Sequence, residues 1–142
     1  MSKSNNNTID SFKKSIESTV KAIAKDASIS LIFGQKASPE KCNINLPDIS
    51  EKNYYSDKNI VRGESDSASL IKRFHDVEIH KAMKPDNAES EKIFNKIEFL
   101  RCELIGSAQL PGVKKNLLKI DQLNIKNALN KNESMSKDDT FK

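Results

Sequence analysis

The chain has 142 residues, which is the size of one domain and leaves no room for a catalytic domain beside a separate cofactor domain. Leu, Ile, Val and Phe make up about a quarter of the sequence, so a packed core is expected rather than a disordered chain. No apolar run is long enough to span a membrane, and the polar first residues lack the apolar segment of a secretory signal. Cys42 and Cys102 are far apart and form no metal or redox motif. These features predict a cytoplasmic protein with reduced cysteines and no membrane partner.

The net charge of +4 suggests nucleic-acid binding, but the residues that produce it do not. Lysine accounts for 21 of the 24 basic residues and arginine for only 3, whereas arginine is the side chain that recognises phosphates and bases bidentately. The lysine cluster at 114, 115 and 119 is typical of a solvated helix face. We therefore predict no nucleic-acid partner, and a basic nucleic-acid-binding helical domain stays as an alternative.

The first half of the chain predicts one helix and two strands. Residues 1–9 are polar and are expected to be a flexible leader. A helical period then places Phe12, Ile16, Val20 and Ile23 on one stripe. Alternating apolar residues at 28–33 and 41–46, separated by turn-forming residues at 34–41, predict a short β-hairpin. The polar stretch 47–61 has no clear period and is predicted to be a loop.

The second half predicts three helices. The first covers about 64–83 and ends before Pro85. A capping-box pattern, Asp86 with Glu89, opens the second, which ends near 106–108. Its apolar stripe, expected to be its buried face, consists of Ile93, Phe94, Ile97, Leu100, Leu104 and Ile105.

Pro111 suits the first turn of the third of these helices, whose apolar residues are Val113, Leu117 and Ile120. Residues 126–142 carry little apolar content and are predicted to be a disordered tail. The predicted fold class is therefore mainly α (α+β): a first helix, a short β-hairpin and three packed helices in one domain over 10–125.

Motifs for catalysis are absent from the sequence. None of the four glycines belongs to a phosphate-binding loop, and neither H-E-x-x-H nor C-x-x-C occurs. The serines lie in no recognisable nucleophile motif with a histidine. We therefore predict no catalytic residue and no active site in this chain.

Both histidines belong to one polar cluster. On a continuous helix Asp76 and His80 share a face, whereas His75 points about 140° away from His80, toward the apolar side. This arrangement predicts an exposed Arg73–Asp76–His80 ladder and no metal site. The weaker alternative is a metal half-site of Asp76 and His80, completed by Glu98 or Glu103.

A second polar pair is predicted on the next helix. Glu98 and Arg101 are three residues apart and so lie on one face. Arg101 sits beside the apolar stripe, which predicts a partly buried and specific contact rather than a solvated one.

An ordered series of short motifs runs through about residues 10–120. Near the start it consists of Phe12-Lys13 and Val20-x-Ala22-Ile23-Ala24. The remaining motifs, in order, are Arg62-Gly63, Asp66-Ser67-Ala68-x-Leu70, His75-Asp76-x-x-x-His80, Pro85, Ile93-Phe94, Glu98-x-x-Arg101-x-Glu103-x-x-Gly106 and Gly112-Val113-x-x-Asn116-Leu117. The series resembles the N-terminal region of the T subunit of aerobic cobaltochelatase, the CobT family.

The resemblance implies a subunit of an ATP-dependent complex that inserts cobalt into a corrin ring during cobalamin biosynthesis. The implied partners are an AAA+ ATPase subunit and a large corrinoid-binding subunit. Cobalt and ATP would belong to the complex, and this chain would hold no cofactor of its own. In the family, the region continues into an acidic linker and a von Willebrand A-type domain, which these 142 residues do not contain. A truncated or split T subunit is therefore expected.

The expected role is a non-catalytic interaction module. The candidate interaction residues are Arg62, Arg73, Asp76, His80, Glu98 and Arg101. A small metal- or tetrapyrrole-binding protein that uses Asp76, His80 and a glutamate from the next helix is the alternative in another class.

The missing phosphate loop gives a first prediction. We expect the purified chain neither to bind nor to hydrolyse ATP, because no backbone loop is available to surround the phosphates. Isothermal titration calorimetry with ATP and Mg²⁺ checks this, and tight nucleotide binding would contradict it.

Overall fold

The computed structural model describes residues 2–34 and 43–138, and it confirms a mainly α fold with a small β part. In chain order its elements are α1 (Ser2–Ala24), β1 (Ser30–Phe33), β2 (Asn43–Leu46), α2 (Tyr54–Phe74), α3 (Val77–Met83), α4 (Ala88–Gln109) and α5 (Pro111–Asp138). None of the helices in this part of the chain is both long and apolar enough to cross a membrane.

The apolar stripe predicted on the first helix is buried as expected. Phe12, Ile16 and Val20 pack in one cluster with residues of β2 and with Val61 of α2. The helix ends where Lys25 adopts a left-handed conformation, with φ at 56°. The backbone N–H of Asp26 then donates to the carbonyl of Lys21, which satisfies one of the last carbonyls of the helix.

The predicted β-hairpin is wrong, although both strands form within the predicted ranges. β1 and β2 pair in parallel, with Ser30 beside Asn43 and Phe33 beside Leu46. Alternation of apolar and polar residues indicates extended backbone with one buried face, but it carries no information on strand direction. Residues 35–41 of the predicted turn, and Cys42 after them, lie outside the described residues.

The loop predicted over 47–61 is also wrong in its second half, because α2 already begins at Tyr54. Asn53 organises this start. Its side-chain oxygen accepts from the backbone N–H of Ser50 at 2.7 Å, and its amide donates to Asp57 at 2.9 Å. A hydrogen-bonded turn thus begins the helix without an apolar period, which is why hydrophobic periodicity missed the first turns.

α2 is the helix that the other long helices share, since it contacts α1, α4 and α5. Two glycines allow the close approaches. A Cβ on Gly106 of α4 would clash with the methyl groups of Leu70, which is fully buried on α2. A Cβ on Gly63 of α2 would lie 2.9 Å from the backbone oxygen of Asn116 on α5. Both helices therefore pack against α2 at distances that only glycine permits.

The predicted buried face of α4 is wrong. The residues that α4 buries are Cys102 and Gly106, whereas Ile93, Ile97, Leu100 and Leu104 are all more than half exposed. Val113 on α5 is buried as expected. Periodicity identified the apolar stripe of α4 correctly but not the side of the helix that the rest of the chain covers.

Within the described residues, helices extend into both the predicted flexible leader and the predicted tail. α1 begins at Ser2 rather than near Asp10, and α5 continues to Asp138, past the predicted start of the tail at 126.

The addition of one methyl group to the glycine at the α2–α4 contact tests how closely the two helices pack. We expect Gly106→Ala to lower the free energy of unfolding by about 1–3 kcal/mol, because the whole Leu70 side chain must shift within a packed core. Gly112→Ala is the matched control, since nothing lies within 4 Å of a Cβ there. The control should leave stability unchanged or slightly higher. Urea denaturation of both variants measures this, and equal stabilities would refute the close packing.

Candidate functional site

A break between α2 and α3 determines where the predicted polar residues Asp76 and His80 lie. The sequence predicted one helix over 64–83, but α2 ends at Phe74 and Asp76 caps α3. One carboxylate oxygen of Asp76 accepts from the backbone N–H groups of Glu78 and Ile79, both at 3.0 Å. Asp is a favoured N-cap residue, and its hydrogen bonds replace those that the broken helix loses. The predicted Arg73–Asp76–His80 ladder therefore does not form.

The two histidines face each other, contrary to the predicted 140° separation. Their ring centroids lie 4.8 Å apart, edge to face. His75 Nδ1 lies 3.0 Å from a carboxylate oxygen of Glu98, and His80 Nε2 lies 2.7 Å from the amide oxygen of Asn95. The 140° separation holds only for a continuous helix. Because the backbone is extended at residues 75–76, the two histidines are not on one helix and the calculated angle does not apply.

The predicted Glu98–Arg101 pair is present and joins α4 to the end of α2. The guanidinium donates to both carboxylate oxygens of Glu98 at 2.7 Å and to the carbonyl of Phe74 at 2.9 Å. Hydrogen bonding from Arg101, then from His75, and the charges of both groups hold the pKa of Glu98 at about 2, although partial burial opposes this. The same pair raises the pKa of Arg101. Glu98 is thus an ionised acceptor shared by two elements.

The other two arginines predicted to interact lie away from this pair. Arg73 donates to the carbonyl of Ile23 at 3.2 Å and lies over the ring of Phe74, with 4.9 Å from its guanidinium carbon to the centroid. Arg62 lies over the ring of Phe12, at 5.2 Å. Both arginines therefore connect α2 to α1.

The remaining candidate residues line an open groove between α3 and α4, with a volume of about 450 Å³. We call it the α3–α4 groove. Its charged and polar lining comes from Asp76, His80, Glu98 and Arg101, and its apolar lining comes from Phe74, Ile79, Met83 and Phe94. Ile79 and Met83 are 63% and 68% exposed, so their apolar surface is available to a partner. Sequence reasoning missed Met83, although its spacing of four from Ile79 places both on one face of a helix.

The metal alternative finds no support in the geometry. Within 2–34 and 43–138, no group of three or more His, Cys, Asp or Glu side chains is placed to hold a metal ion. One oxygen of Asp76 already accepts two backbone N–H groups, and His80 is bonded to Asn95 and stacked on Phe94 at 4.7 Å. Asp76 and His80 act in α3 capping and helix packing.

Further polar contacts cross the interfaces of α2. Asn116 of α5 donates to the buried carboxylate of Asp66 at 2.8 Å, and Ser67 donates to Glu103 of α4. Burial raises the pKa of Asp66, while the hydrogen bond from Asn116 and the charge of Arg62 oppose the shift. These bonds satisfy polar groups that the close helix packing removes from water.

Comparison with known proteins identifies the family. The model of the family described as "Cobalamin biosynthesis protein CobT" matches residues 6–139, nearly the whole chain. The chain belongs to the CobT family. No solved structure matches the fold. Membership supports a role in cobalamin biosynthesis.

Ten of the residues that carry the CobT resemblance contact one another in the structure. Gly63, Asp66 and Ser67 of α2 meet Asn116 of α5 or Glu103 of α4. Leu70 meets Gly106. His75 meets Glu98 and, through it, Arg101. The CobT motifs in this region therefore specify how α2, α4 and α5 pack and where the α3–α4 groove lies.

The Glu98–Arg101 pair predicts a pH-dependent contribution to stability. The folded chain lowers the pKa of Glu98 to about 2, so the stabilisation is fully present above the ordinary pKa near 4.5 and is lost as the pH falls toward 2. We expect Arg101→Ala to lower the free energy of unfolding by about 1–2 kcal/mol at pH 7, a value reduced because 46% of the Arg101 side chain is exposed.

Urea denaturation of the wild type and of Arg101→Ala between pH 7 and pH 2.5 measures this, and their difference should shrink as the pH falls. Lys81→Ala is the control, since Lys81 makes only a 3.9 Å exposed ion pair with Glu78. A difference between wild type and Arg101→Ala that stays constant with pH would contradict the role of Glu98.

Proposed function

We propose that this CobT-family chain is a non-catalytic interaction module of the ATP-dependent cobaltochelatase, a ligase that inserts cobalt into a corrin ring. Its partner at the α3–α4 groove is the AAA+ ATPase subunit, and the complex also contains the large corrinoid-binding subunit. Cobalt and ATP are handled by those subunits in the cytoplasm. The family match supports the pathway, and the sequence supports the absence of a nucleotide site in this chain.

One observation carries the proposal: the groove combines exposed apolar residues with a fixed charged edge. Ile79 and Met83 are exposed on a helix that buries none of its residues completely. Arg101, half exposed, is held in position by Glu98 and by the carbonyl of Phe74. Protein interfaces commonly have this composition, with an apolar centre that supplies affinity and ordered charges that set register.

The shape of the groove favours a protein partner over a small ligand. It is open along one side, and an enclosed small-molecule site usually buries most of its ligand. A helix or loop of the AAA+ subunit that inserts an apolar side chain between Ile79 and Phe94 would cover this surface. An acidic group beside that side chain would meet the exposed part of Arg101.

A matched pair of substitutions tests the docking site. We expect Ile79→Ser to weaken binding of the AAA+ subunit about tenfold, because the lost apolar burial corresponds to roughly 1–2 kcal/mol. Ile125→Ser is the control: Ile125 lies on α5, outside the groove, and is 61% exposed against 63% for Ile79. Since both residues are exposed, neither change should unfold the chain. Biolayer interferometry with immobilised AAA+ subunit gives both affinities.

Equal affinities of the two variants would contradict docking at the groove. We also expect His80→Ala to leave the metal content of the purified chain unchanged and to weaken the AAA+ complex. Elemental analysis that finds one metal per wild-type chain, lost in His80→Ala, would replace the docking proposal with the metal-binding alternative.

A further inference from the structure

The outer face of α4 is an apolar strip that no other described element covers. Ile93, Ile97, Leu100 and Leu104 are 60%, 60%, 52% and 61% exposed. We call these four residues the α4 seam. They lie on the side of the helix opposite Cys102, which faces the core. Four such side chains form a patch of roughly 400 Å², the size of the largest apolar patch on a typical soluble monomer, which is often functional.

The spacing of the seam is that of a two-stranded coiled coil. Successive members are four, three and four residues apart on one continuous helix, Ala88–Gln109. In heptad notation, Ile97 and Leu104 occupy a positions, and Ile93 and Leu100 occupy d positions. A strict a/d strip is narrower than the apolar face of an ordinary core helix, and it fits a single partner helix.

The charges beside the seam identify the partner and its direction. Lys96 and Glu103 occupy the g positions, and Phe94 and Arg101 occupy the e positions. A parallel second copy would place Lys96 beside Arg101 of that copy, with two such repulsive pairs. An antiparallel second copy brings g positions together, so Lys96 of each copy lies beside Glu103 of the other. The pattern is therefore self-complementary only in the antiparallel arrangement.

We propose that the α4 seam binds the α4 seam of a second copy of this chain as an antiparallel helix pair. The twofold axis passes between Ile97 and Leu100, so that each Ile97 packs on Leu100 of the second copy and each Ile93 packs on Leu104. Arg101 and Phe94 meet on the other flank of the pair, where a cation can lie over an aromatic ring. The α3–α4 groove lies on that flank, and it shares Phe94 and Arg101 with the helix pair. The inference does not depend on the AAA+ subunit.

The first experiment measures self-association of the full chain by sedimentation velocity across a range of concentrations. We expect a monomer–dimer equilibrium in the wild type. Leu100→Asp should weaken dimerisation by roughly 100-fold or more, because the symmetric pair would bury two carboxylates. Leu118→Asp is the matched control, since Leu118 is 51% exposed on α5 and Leu100 is 52% exposed. The control should dimerise like the wild type.

The second experiment tests direction. We expect Lys96→Glu to weaken dimerisation roughly threefold to tenfold, because two attractive pairs become repulsive. Lys96→Glu combined with Glu103→Lys should restore it. Because Ser67 also donates to Glu103, Ser67→Ala serves as a control that removes this hydrogen bond and should leave dimerisation unchanged.

Three results would overturn the proposal. The first is a chain that stays monomeric into the millimolar range. The second is a dimer that Leu100→Asp and Leu118→Asp weaken equally, which would place the interface elsewhere. The third is a dimer that Lys96→Glu strengthens, which would show parallel pairing with Arg101. Circular dichroism of each variant confirms that it is folded, and Lys96→Glu changes only an exposed side chain.

Discussion

The contact of Gly106 with Leu70 sets the geometry of everything that α4 carries. Since no side chain stands between the two helices there, α4 approaches α2 closely, and the residues one and two turns earlier on the same face must also meet α2 or its end. Those residues are Cys102, which is completely buried, and Glu98, which reaches His75. A bulkier residue at 106 would move this whole face outward, and the bonds from Arg101 to Phe74 and from Ser67 to Glu103 would lengthen with it.

Two polar networks then fix the register of the packed helices, and they differ in how they depend on charge. At the α2–α5 interface, Asp66 is buried beside an amide, and burial raises its pKa, so its ionised form gains nothing from folding. At the end of α2, Glu98 is ionised and paired with a guanidinium, and its pKa is lowered. The first network satisfies a buried group, whereas the second adds stability that depends on the charge of Glu98.

The parts of the fold that could be predicted from the sequence are those governed by local periodicity and local hydrogen bonding. The buried stripe of α1, the two strands and the Glu98–Arg101 pair follow from spacings of two, three or four residues. Strand direction could not be read, because a pleated strand has the same alternation in both directions. The break at Asp76 was missed because an Asp inside an apolar period also fits a continuous helix. Only the hydrogen bonds that its side chain accepts from the backbone N–H groups of Glu78 and Ile79 show that it caps α3.

The error on α4 has a different physical origin. Hydrophobic periodicity reports that a helix has an apolar side, and it is silent on whether the same chain or another molecule covers that side. On α4 the inward face consists of Glu98, Cys102 and Gly106, which are small or polar, because close packing and ion pairing hold it to α2. Little aliphatic surface is needed there, so the aliphatic residues of α4 lie outside. A helix with a specific polar inner face and an aliphatic outer strip is therefore evidence for an interface. The CobT motifs contribute to both sides of α4, since Ile93 lies on the outer strip and Glu98 lies on the inner face.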